Sequence, residues 1–494
     1  MNRGADAKRL LAEGTALAQQ GRLDEAARLF EQAIARQPGQ AEAHYNLGIA
    51  HRRRGRMDDA VRCWRRAAEL KPDFAPARVN LGGALLELND PRGAEAEFRQ
   101  VLKTEPDSVP ALINLGNALR DQGRAEEAVD AYRRADALKP DVATTYNNLG
   151  LALRDLGRLD ESEAAYRRAL QLDPTYATAR KDFGILLLLT GRFAEGWREY
   201  GWRWKTRWHP RRKLPCPAWR GEDIAGKTIL LYSEQGLGDT IMFCRLAEAV
   251  TARGARVVLE AQPPLCRLLD GLEGAERVLP RAEPASPADV EAPLMDLPGI
   301  LGLDATNIPA RVPYLKPEPA RAQRWKEWLA ARPGFNIGIV WQGNSASNAE
   351  LGRSPPLAAF RPLAEIPGVR LIALQKGAGT EQIAGLSGAM KIEIPPSDFD
   401  AEPDAFLDSA ALMQSLDLVV SADTAPAHLA GALGRKLWIA LRKTPDWRWG
   451  LDRADTPWYP TARLFRQETM GDWDTVFRRM TETLAREREG ARHS

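Results

Sequence analysis

The chain has 494 residues, of which 44% are hydrophobic and 27% charged, and this apolar fraction excludes wholesale disorder. It contains no apolar run of membrane-spanning length, the N-terminus lacks the apolar core of a signal peptide, and the four cysteines lack CxxC spacing. We therefore expect a cytoplasmic protein without a membrane span, built from about three domains at ~150 residues each.

The net charge of +3 is unevenly distributed along the chain. Residues 1–192 carry 30 Lys and Arg against 28 Asp and Glu, residues 193–221 carry 8 against 2, and residues 222–494 carry 31 against 36. The tryptophans are unevenly distributed too: of the 14, only Trp64 lies before residue 197. The chain is therefore divided into a near-neutral part, a basic connector and an acidic part.

The near-neutral part is a repeat with a period of 34 residues. An aromatic residue follows each of the first five repeat glycines, and a proline ends each of these repeats. Small residues let two helices pack closely, the aromatic ring fills the groove, and proline stops the second helix. The pattern resembles the tetratricopeptide repeat, which implies an all-α solenoid of about six repeats over residues 1–192. The repeat glycines are Gly14, Gly48, Gly82, Gly116, Gly150 and Gly184.

An asparagine lies two residues before the glycine in four consecutive repeats, at Asn46, Asn80, Asn114 and Asn148. The A-x-x-N-L-G motif resembles the superhelix of the protein O-GlcNAc transferases, in which asparagines grip the backbone of an acceptor polypeptide. An amide side chain both donates and accepts hydrogen bonds, which suits that task. The resemblance implies that these four residues bind a peptide; alternatively, they bond neighbouring turns as consensus residues of the fold.

From residue 226 onward, buried strand runs alternate with helical segments in two blocks. This alternation predicts an α/β domain of two doubly wound lobes, residues 222–317 and 318–470, after a connector at 193–221 and before a terminal helix and tail at 471–494. Periodicity alone describes equally well two Rossmann lobes of another enzyme. The expected strands are Thr228–Tyr232, Val257–Glu260, Ile337–Trp341, Leu371–Leu374, Leu418–Ser421 and Leu437–Leu441.

Two motifs narrow the class of the α/β domain. Gly236–Thr240 (GLGDT) and Ser421–Gly434 (SADTAPAHLAGALG) each follow a predicted strand. Together they resemble the heptosyltransferase family (glycosyltransferase family 9), which implies a metal-independent GT-B domain with two Rossmann-like lobes and a nucleotide-sugar substrate. Ala425 stands where that family has glycine. Four further segments resemble the branch fused to tetratricopeptide repeats, a layout found in bacterial flagellin glycosyltransferases: Trp341–Asn344, Arg353–Pro355, Leu374–Gly377 and Pro445–Trp449.

The second motif is the expected donor site. A helix N-terminus offers unpaired amides to a diphosphate, and these would come from Thr424 and Ala425. Asp423 is expected to cap the same helix, while His428 either contacts the donor or packs the helix. Cations near the leaving diphosphate, and polar side chains at a strand end, complete the set. These further candidates are Arg353, Lys376, Gln342 and Asn344, and either cation could instead be a solvated loop residue.

Asp239 in the first motif is the expected catalytic residue. Sugar transfer with inversion needs a base for the acceptor hydroxyl proton, and the resemblance puts this aspartate at that point. The alternative is a helix N-cap for a helix running from Thr240 to Arg253. Asp398-Phe-Asp400 matches a metal-binding DxD, but it lies in a proline-rich stretch and is interpreted as a surface loop, so no metal or other cofactor is expected.

The connector from Trp197 to Trp219 interleaves basic residues with five tryptophans. Such a mixture can bind nucleic acid, but five tryptophans favour a cap between the open end of the solenoid and the α/β domain. We therefore expect no nucleic-acid partner. The amphipathic segment Asp474–Arg488 is expected to cross back to the first lobe, as the terminal helix does in GT-B folds.

These features predict a protein glycosyltransferase that moves a sugar from a nucleotide-sugar to a Ser or Thr hydroxyl of a polypeptide recruited by the repeats, flagellin being one candidate. Two alternatives stay open. One is a heptosyl-type transferase acting on lipopolysaccharide, with the repeats docking a partner enzyme. The other is a non-catalytic interaction scaffold whose GT-B domain has decayed, for which Ala425 is the motivating departure.

Overall fold

The computed structural model describes residues 3–207, 210–282, 285–331, 333–343, 352–386, 390–401 and 403–493. The chain divides into two compact units, Met1–Tyr176 and Ala177–Ser494. The first is entirely helical, and the second combines helices with two parallel sheets. The expected order, an all-α repeat region followed by an α/β domain, is confirmed.

The first unit contains five helix pairs. First helices of successive repeats contact one another, as α1 does α3 and α5 does α7, so they share one face of the array. Gly21 and Gly55 take left-handed backbone in the turns within two pairs, and Asn89 does so in the third. The pairs are α1 (Arg3–Gln19) and α2 (Leu23–Arg36), α3 (Ala41–Arg53) and α4 (Met57–Leu70), α5 (Ala75–Glu87) and α6 (Pro91–Thr104), α7 (Val109–Arg120) and α8 (Ala125–Leu138), and α9 (Ala143–Asp155) and α10 (Leu159–Leu172).

The repeat glycines allow close approach within each pair. A Cβ on Gly82 would lie 2.6 Å from the Phe98 ring, and one on Gly116 would lie 2.4 Å from the Tyr132 ring. Both rings are fully buried. The glycine therefore makes room for the aromatic side chain of the second helix, as the 34-residue pattern predicts.

A sixth pair, α11 (Ala177–Leu189) and α12 (Phe193–Tyr200), belongs to the second unit. The Trp197 indole donates a hydrogen bond to the Leu303 carbonyl at 3.2 Å, and its ring centroid lies 5.0 Å from that of Trp447. These contacts tie the pair to the α/β part. The division after Tyr176 therefore precedes the predicted boundary at residue 192.

The first lobe is built on a four-stranded parallel sheet in the order β3-β2-β1-β4. One predicted helix, Thr240–Arg253, is wrong: two shorter helices lie there, and the first begins at Leu237. The chain breaks between them because the Arg245 guanidinium takes the Met242 carbonyl, which a continuous helix would use. The elements are β1 (Thr228–Tyr232), α13 (Leu237–Phe243), α14 (Leu246–Thr251), β2 (Arg256–Ala261), β3 (Arg277–Pro280), β4 (Val290–Pro293) and α15 (Leu297–Ile300).

The second lobe is built on a six-stranded parallel sheet in the order β10-β9-β8-β5-β6-β7. Its elements are α16 (Pro319–Ala330), β5 (Phe335–Val340), α17 (Arg361–Ala364), β6 (Val369–Ala373), β7 (Ile392–Glu393), α18 (Leu407–Met413), β8 (Leu418–Ala422), α19 (Ala425–Ala432), β9 (Leu437–Leu441), β10 (Ala462–Arg466) and α20 (Trp473–His493). In both sheets the chain starts in the middle and later reverses direction, which is the Rossmann order. Two Rossmann-like lobes are therefore present, with switch points between β1 and β4 and between β5 and β8.

The terminal helix α20 packs on the second lobe. Its buried residues Val476, Phe477, Met480 and Leu484 join the core of the six-stranded sheet, and the Phe477 ring centroid lies 4.4 Å from that of Phe360. The expectation that this helix crosses back to the first lobe is wrong, because its apolar face is already used against the nearer sheet.

Candidate functional site

The two switch points meet through the helices that follow β1 and β8. A Cβ on Gly238 of α13 would lie 2.9 Å from Cδ2 of His428 and 3.2 Å from Cα of Ala425 on α19. The missing side chain at Gly238 therefore lets the N-terminal ends of α13 and α19 touch. This contact brings the first motif and the second motif into one site.

Asp239 is the third residue of α13, and its carboxylate has two partners. The Gly236 amide donates to Oδ2 at 3.0 Å, and the Arg448 guanidinium donates to Oδ1. Asp239 is thus not the N-cap of a helix at Thr240, since Gly236 holds the cap position and Asp239 bonds back to it. Burial raises the pKa of Asp239, and the Arg448 charge opposes that rise. A raised proton affinity suits a general base at neutral pH.

Arg448 links two carboxylates, and its side chain is only 9% exposed. Nη2 bonds Asp239, and Nη1 bonds Oδ1 of Asp446 at 2.7 Å. Burial works against ionisation of Asp446, but the Arg448 charge and hydrogen bonds outweigh it and lower the pKa of that carboxyl. Arg448 therefore keeps Asp446 charged and favours the charged form of Asp239 against the effect of burial. It lies in the segment Pro445–Trp449, which the sequence singles out without assigning this role.

Asp423 does not cap α19, so that prediction is wrong. Thr424 holds the cap position, and no side chain there bonds the helix end. Asp423 instead lies among Asp446, Arg353 and Trp449; burial and the Asp446 charge raise its pKa, and Arg353 opposes the rise. A local capping preference is overridden here by the charged groups that other segments bring to the residue.

The start of α19 keeps free backbone donors. Within the described part of the chain, the amides of Thr424 and Ala425 make no hydrogen bond, while Pro426 has no N–H to offer. Two unpaired amides at the positive end of a helix dipole suit an anionic ligand. Ala425 still presents its amide although it replaces the glycine of the resembling family. Donor binding by these two residues remains a prediction.

His428 is enclosed by aromatic side chains and is 5% exposed. Its Nδ1 lies 3.0 Å from the Tyr459 hydroxyl, and its ring stacks on Trp449 with centroids 5.3 Å apart. Burial, reinforced by the Arg448 charge, lowers the pKa of His428 to about 3, so the ring is neutral at physiological pH. These contacts match the helix-packing alternative, and a contact with the donor remains a prediction.

The two candidate cations are placed differently. The Arg353 charge opposes the rise in the pKa of both Asp239 and Asp423. Arg353 therefore lies near both carboxyls. The exposed Lys376 donates through Nζ to the Phe399 carbonyl at 3.0 Å and is not among the charges with the largest effect on either carboxyl. Arg353 thus joins the predicted constellation, and Lys376 is not brought to it.

Gln342 follows β5 at the second switch point and is held by two other glutamines. Its backbone amide donates to Oε1 of Gln375 at 3.0 Å, and its own Oε1 accepts from Gln382 at 2.7 Å. These bonds hold Gln342 in place, and its predicted contact with sugar hydroxyls is not tested by them. Asn344, the other strand-end candidate, lies outside the described residues.

The two aspartates of the DxD sequence make structural contacts with α16 and with the start of α18. Asp398 pairs with Arg324 at 2.6 Å, whereas Asp400 accepts from the Asp408 amide at 2.7 Å and the Ser409 hydroxyl at 2.6 Å. Asp400 thereby fastens the loop to the start of α18. The two carboxylates are used for packing in the way a structural loop would use them.

Three arginines of the connector are paired with carboxyl groups of the first lobe. Arg203, 1% exposed, donates to Glu234 at 2.7 Å and to Asp296 at 2.6 Å. Two further pairs follow the same pattern: Arg211 with Glu291 at 2.8 Å and Arg212 with Glu260 at 2.5 Å. Part of the excess positive charge of the connector is therefore paired with acidic residues of the α/β part. Within the described chain these arginines are occupied, which leaves less positive charge for a nucleic acid.

Glu234 is a residue of this site that sequence reasoning missed. It lies two residues after β1, its side chain is 7% exposed, and its Oε2 is buried without a hydrogen-bond partner among the described residues. Burial raises the pKa of Glu234 to about 8, against the effect of Arg203 and with a contribution from Asp296. Glu234 therefore holds a proton at neutral pH, a short stretch of chain before Asp239.

The raised pKa predicts a pH-dependent stability. An unfolded Glu titrates near about 4.3, so the unfolded state loses this proton first and stability falls as pH rises from there to about 8. The Glu234→Gln side chain stays neutral at every pH. Its free energy of unfolding, relative to that of the native protein, should therefore rise by about 2–4 kcal/mol between about pH 5 and 8 and should not rise further above pH 8. Melting temperatures of the two proteins across this pH range measure the difference.

Glu260→Gln is the matched control, because Glu260 is also buried, on β2 of the same lobe, but its pKa is lowered by Arg212. That variant should be less stable than the native protein throughout the same range. A difference between Glu234→Gln and the native protein that stays constant with pH would show that Glu234 is ionised from the start.

The asparagine series lies on the first helices of the repeats, as predicted, and it divides into two kinds. Asn46 donates to the Thr15 hydroxyl at 3.2 Å, and Asn148 donates to the Asn117 amide oxygen at 3.0 Å. Each partner lies 31 residues earlier, in the preceding repeat. At the equivalent positions before Asn80 and Asn114 stand Ile49 and Gly83, which have no side-chain acceptor. In the described chain, the side-chain amides of Asn80 and Asn114 make no hydrogen bond.

Comparison with known protein families identifies the repeats of the first unit. The tetratricopeptide repeat models match residues 11–73, 50–91 and 79–143, and a second such model matches 143–176. Residues 11–176 are therefore tetratricopeptide repeats, a protein-interaction domain. No helix in the described residues has both the length and the apolar character needed to cross a membrane.

One curated relative is Protein FlbA of Caulobacter vibrioides, which is 31% identical over 314 residues. The match covers 59% of this chain and 52% of FlbA, so the chain spans about half the length of that relative.

Three solved structures resemble about a third of the chain. YrrB, titled a TPR protein with an unusual peptide-binding site, is 18% identical with a TM-score of 0.33 and covers 35% of this chain and 90% of its own. MamA is 22% identical with a TM-score of 0.33, covering 35% and 95%. A thermophilic TPR protein of Thermus thermophilus is 24% identical with a TM-score of 0.31, covering 37% and 99%.

Proposed function

We propose that this protein is a GT-B glycosyltransferase that moves a sugar from a nucleotide-sugar to a Ser or Thr hydroxyl of a polypeptide held by the repeats. The observation that carries the proposal is the meeting of the two switch points, which sets Asp239 on α13 beside the free amides of α19. In doubly wound sheets, ligands bind outside the carboxyl ends of the strands at such points. Two of them facing each other provide for a donor on one side and an acceptor on the other.

The chemistry follows from the charges in this site. The acceptor oxygen attacks the anomeric carbon as its proton passes to the Asp239 carboxylate, and the bond from that carbon to the diphosphate oxygen breaks. The amides of Thr424 and Ala425 and the Arg353 guanidinium would stabilise the negative charge that grows on the leaving diphosphate. The Arg448 guanidinium donates a hydrogen bond to Asp239, which orients the carboxylate and favours its charged form.

Polypeptide is the acceptor that the repeats favour. Asn80 and Asn114 carry half-buried amide groups without a partner in the described chain, on the face shared by the first helices. An amide can donate to and accept from a peptide backbone without reading its sequence. A flagellin acceptor rests on the family resemblance alone. The lipopolysaccharide and scaffold alternatives are weaker, because Asn80 and Asn114 suit a peptide and Ala425 retains its amide.

Ala425→Pro tests the donor site, because it removes one backbone donor at a helix position that tolerates proline. The backbone of Thr424 before it is extended, as a residue preceding proline requires. We expect full-length Ala425→Pro to bind nucleotide-sugars about tenfold more weakly, which is the value of one charge-assisted hydrogen bond.

The measurement is calorimetric titration with a panel of UDP-, GDP- and ADP-linked sugars. Ala425→Gly keeps the amide and should bind as the native protein does. If no donor binds the native chain at millimolar concentration, the scaffold alternative stands and the proposed function fails.

A further inference from the structure

The second repeat carries an excess of positive charge on the face of the first helices. α3 ends in Arg52 and Arg53, and shifting by the 34-residue period shows that no other repeat of the first unit has two cations at these positions. The equivalent pairs in the other four repeats are Ala18 and Gln19, Leu86 and Glu87, Arg120 and Asp121, and Arg154 and Asp155. The formal charges from the first repeat to the fifth are therefore 0, +2, −1, 0 and 0. This repeat is the one place on that row where a negative group is favoured.

The two arginines border a recess of about 430 Å³ that is lined by Ile49, Arg52, Arg53, Trp64 and Asn80. Trp64 is fully buried and forms the floor, held by a hydrogen bond from its indole to the Tyr45 carbonyl at 3.1 Å. The recess thus combines an apolar floor, two guanidinium groups and one of the two unpartnered asparagine amides.

Neither arginine is firmly occupied. Arg52 donates to Glu87 at 2.6 Å, but the two side chains are 41% and 38% exposed, and ion pairs so open to water are weak. Arg53 is exposed and donates to the Ala18 carbonyl at 2.9 Å, and it has no carboxylate counter-ion in the described residues. The Glu87 contact also shows that a carboxylate fits against Arg52 at this rim.

We propose that this recess binds the carboxylate of an acidic side chain in an extended polypeptide. The carboxylate would lie on Arg53 and, in exchange for Glu87, on Arg52, since a guanidinium fork matches the two oxygens of a carboxylate. The Asn80 amide would bond the adjacent peptide group, and the methylene groups would lie over Ile49. If the protein is a glycosyltransferase as proposed above, this recess takes part in the choice of acceptor, and this inference rests on that proposal. Acceptor segments then carry Asp or Glu where they cross the second and third repeats.

The test measures peptide binding alone, by fluorescence anisotropy with the full-length chain. The probe is a fluorescein-labelled peptide of Gly, Ser and Ala with a central Glu pair, and its twin has Gln in place of Glu. We expect the acidic probe to bind about tenfold more tightly and Arg53→Gln to remove most of that preference. Arg65→Gln is the matched control, because Arg65 is exposed on α4 of the same repeat and does not line the recess. Glu87→Gln should strengthen binding of the acidic probe several-fold, because it frees Arg52.

Four results would overturn the proposal. The two probes could bind equally, or Arg53→Gln and Arg65→Gln could weaken binding alike, which would indicate general attraction between charges. Glu87→Gln could leave the affinity unchanged, which would remove Arg52 from the site. Competition by a single-stranded oligonucleotide as effective as by unlabelled acidic peptide would also contradict it. No sugar transfer is measured, so any of these results leaves the glycosyltransferase proposal standing, and loss of transfer with intact probe binding would leave this one standing.

Discussion

Replacing Asp239 by Asn is expected to lower the rate of sugar transfer by about 10²–10⁴-fold, the usual contribution of a general base. The amide has nearly the same shape and can still accept the Gly236 hydrogen bond that closes the start of α13. It cannot take the acceptor proton. We therefore expect kcat to fall while the dissociation constant of the nucleotide-sugar changes little, measured by steady-state kinetics and calorimetric titration.

Asp446→Asn is the control that distinguishes loss of the catalytic base from loss of a carboxylate bonded to Arg448. It removes the other carboxylate bonded to Arg448 and leaves Asp239 in place. This variant should retain most of the transfer rate. If Asp239→Asn transfers sugar as fast as Asp446→Asn, then Asp239 serves only the end of its helix, and the assigned base is wrong.

Arg448→Gln is expected to lower the free energy of unfolding of the second unit by about 2–3 kcal/mol. The buried guanidinium compensates Asp239 and Asp446, whose side chains are 21% and 35% exposed, and removing it leaves two partly buried charges without compensation. Both carboxyls need Arg448 only when ionised, so the loss should be largest at neutral pH and should shrink in acid as they take up protons. Chemical denaturation followed through tryptophan fluorescence measures this loss.

Two variants frame that result. Adding Asp446→Asn to Arg448→Gln should recover part of the stability, because one uncompensated carboxylate is gone. Arg453→Gln removes an exposed arginine paired with Asp455 and should cost no more than about 1 kcal/mol. A loss for Arg448→Gln no larger than that of Arg453→Gln would mean that Asp239 and Asp446 are well solvated.

Much of the fold could be predicted because it follows from local spacing. The 34-residue glycine pattern predicts the helix pairs, since each glycine must face an aromatic ring a fixed distance along the chain. Six strands could be predicted from continuous apolar runs, whereas β3, β4, β7 and β10 could not, and β3 and β4 show the reason. They are four residues long and include or adjoin Pro280, Pro293, Arg277 and Glu291, so they lack the apolar run that marks a buried strand.

The candidate site could be predicted only where a motif is contiguous. Asp239, Thr424 and Ala425 stand in recognisable loops, and the fold brings them together. Arg448 lies 209 residues from its partner Asp239, and no local pattern marks such a pair. The predicted capping role of Asp423 is wrong because the charges of Asp446 and Arg353 outweigh the local preference for helix capping. Both charges come from segments distant in the sequence.

The connector shows what composition can and cannot reveal. Its basic excess and the acidic excess of residues 222–494 are visible in the sequence and foreshadow their pairing. Which carboxylates are used, among them Glu234 and Asp296 on Arg203, depends on the strand order of the first lobe. The proton on Glu234 follows from that same burial.

The most direct measurement of the central claim is intact-mass analysis of proteins from cells that lack this gene and are complemented with the native chain or with Asp239→Asn. Transfer of a sugar to Ser or Thr predicts at least one protein that is heavier by whole sugar units with the native chain and unmodified with Asp239→Asn. An identical set of protein masses in both strains would contradict a protein glycosyltransferase.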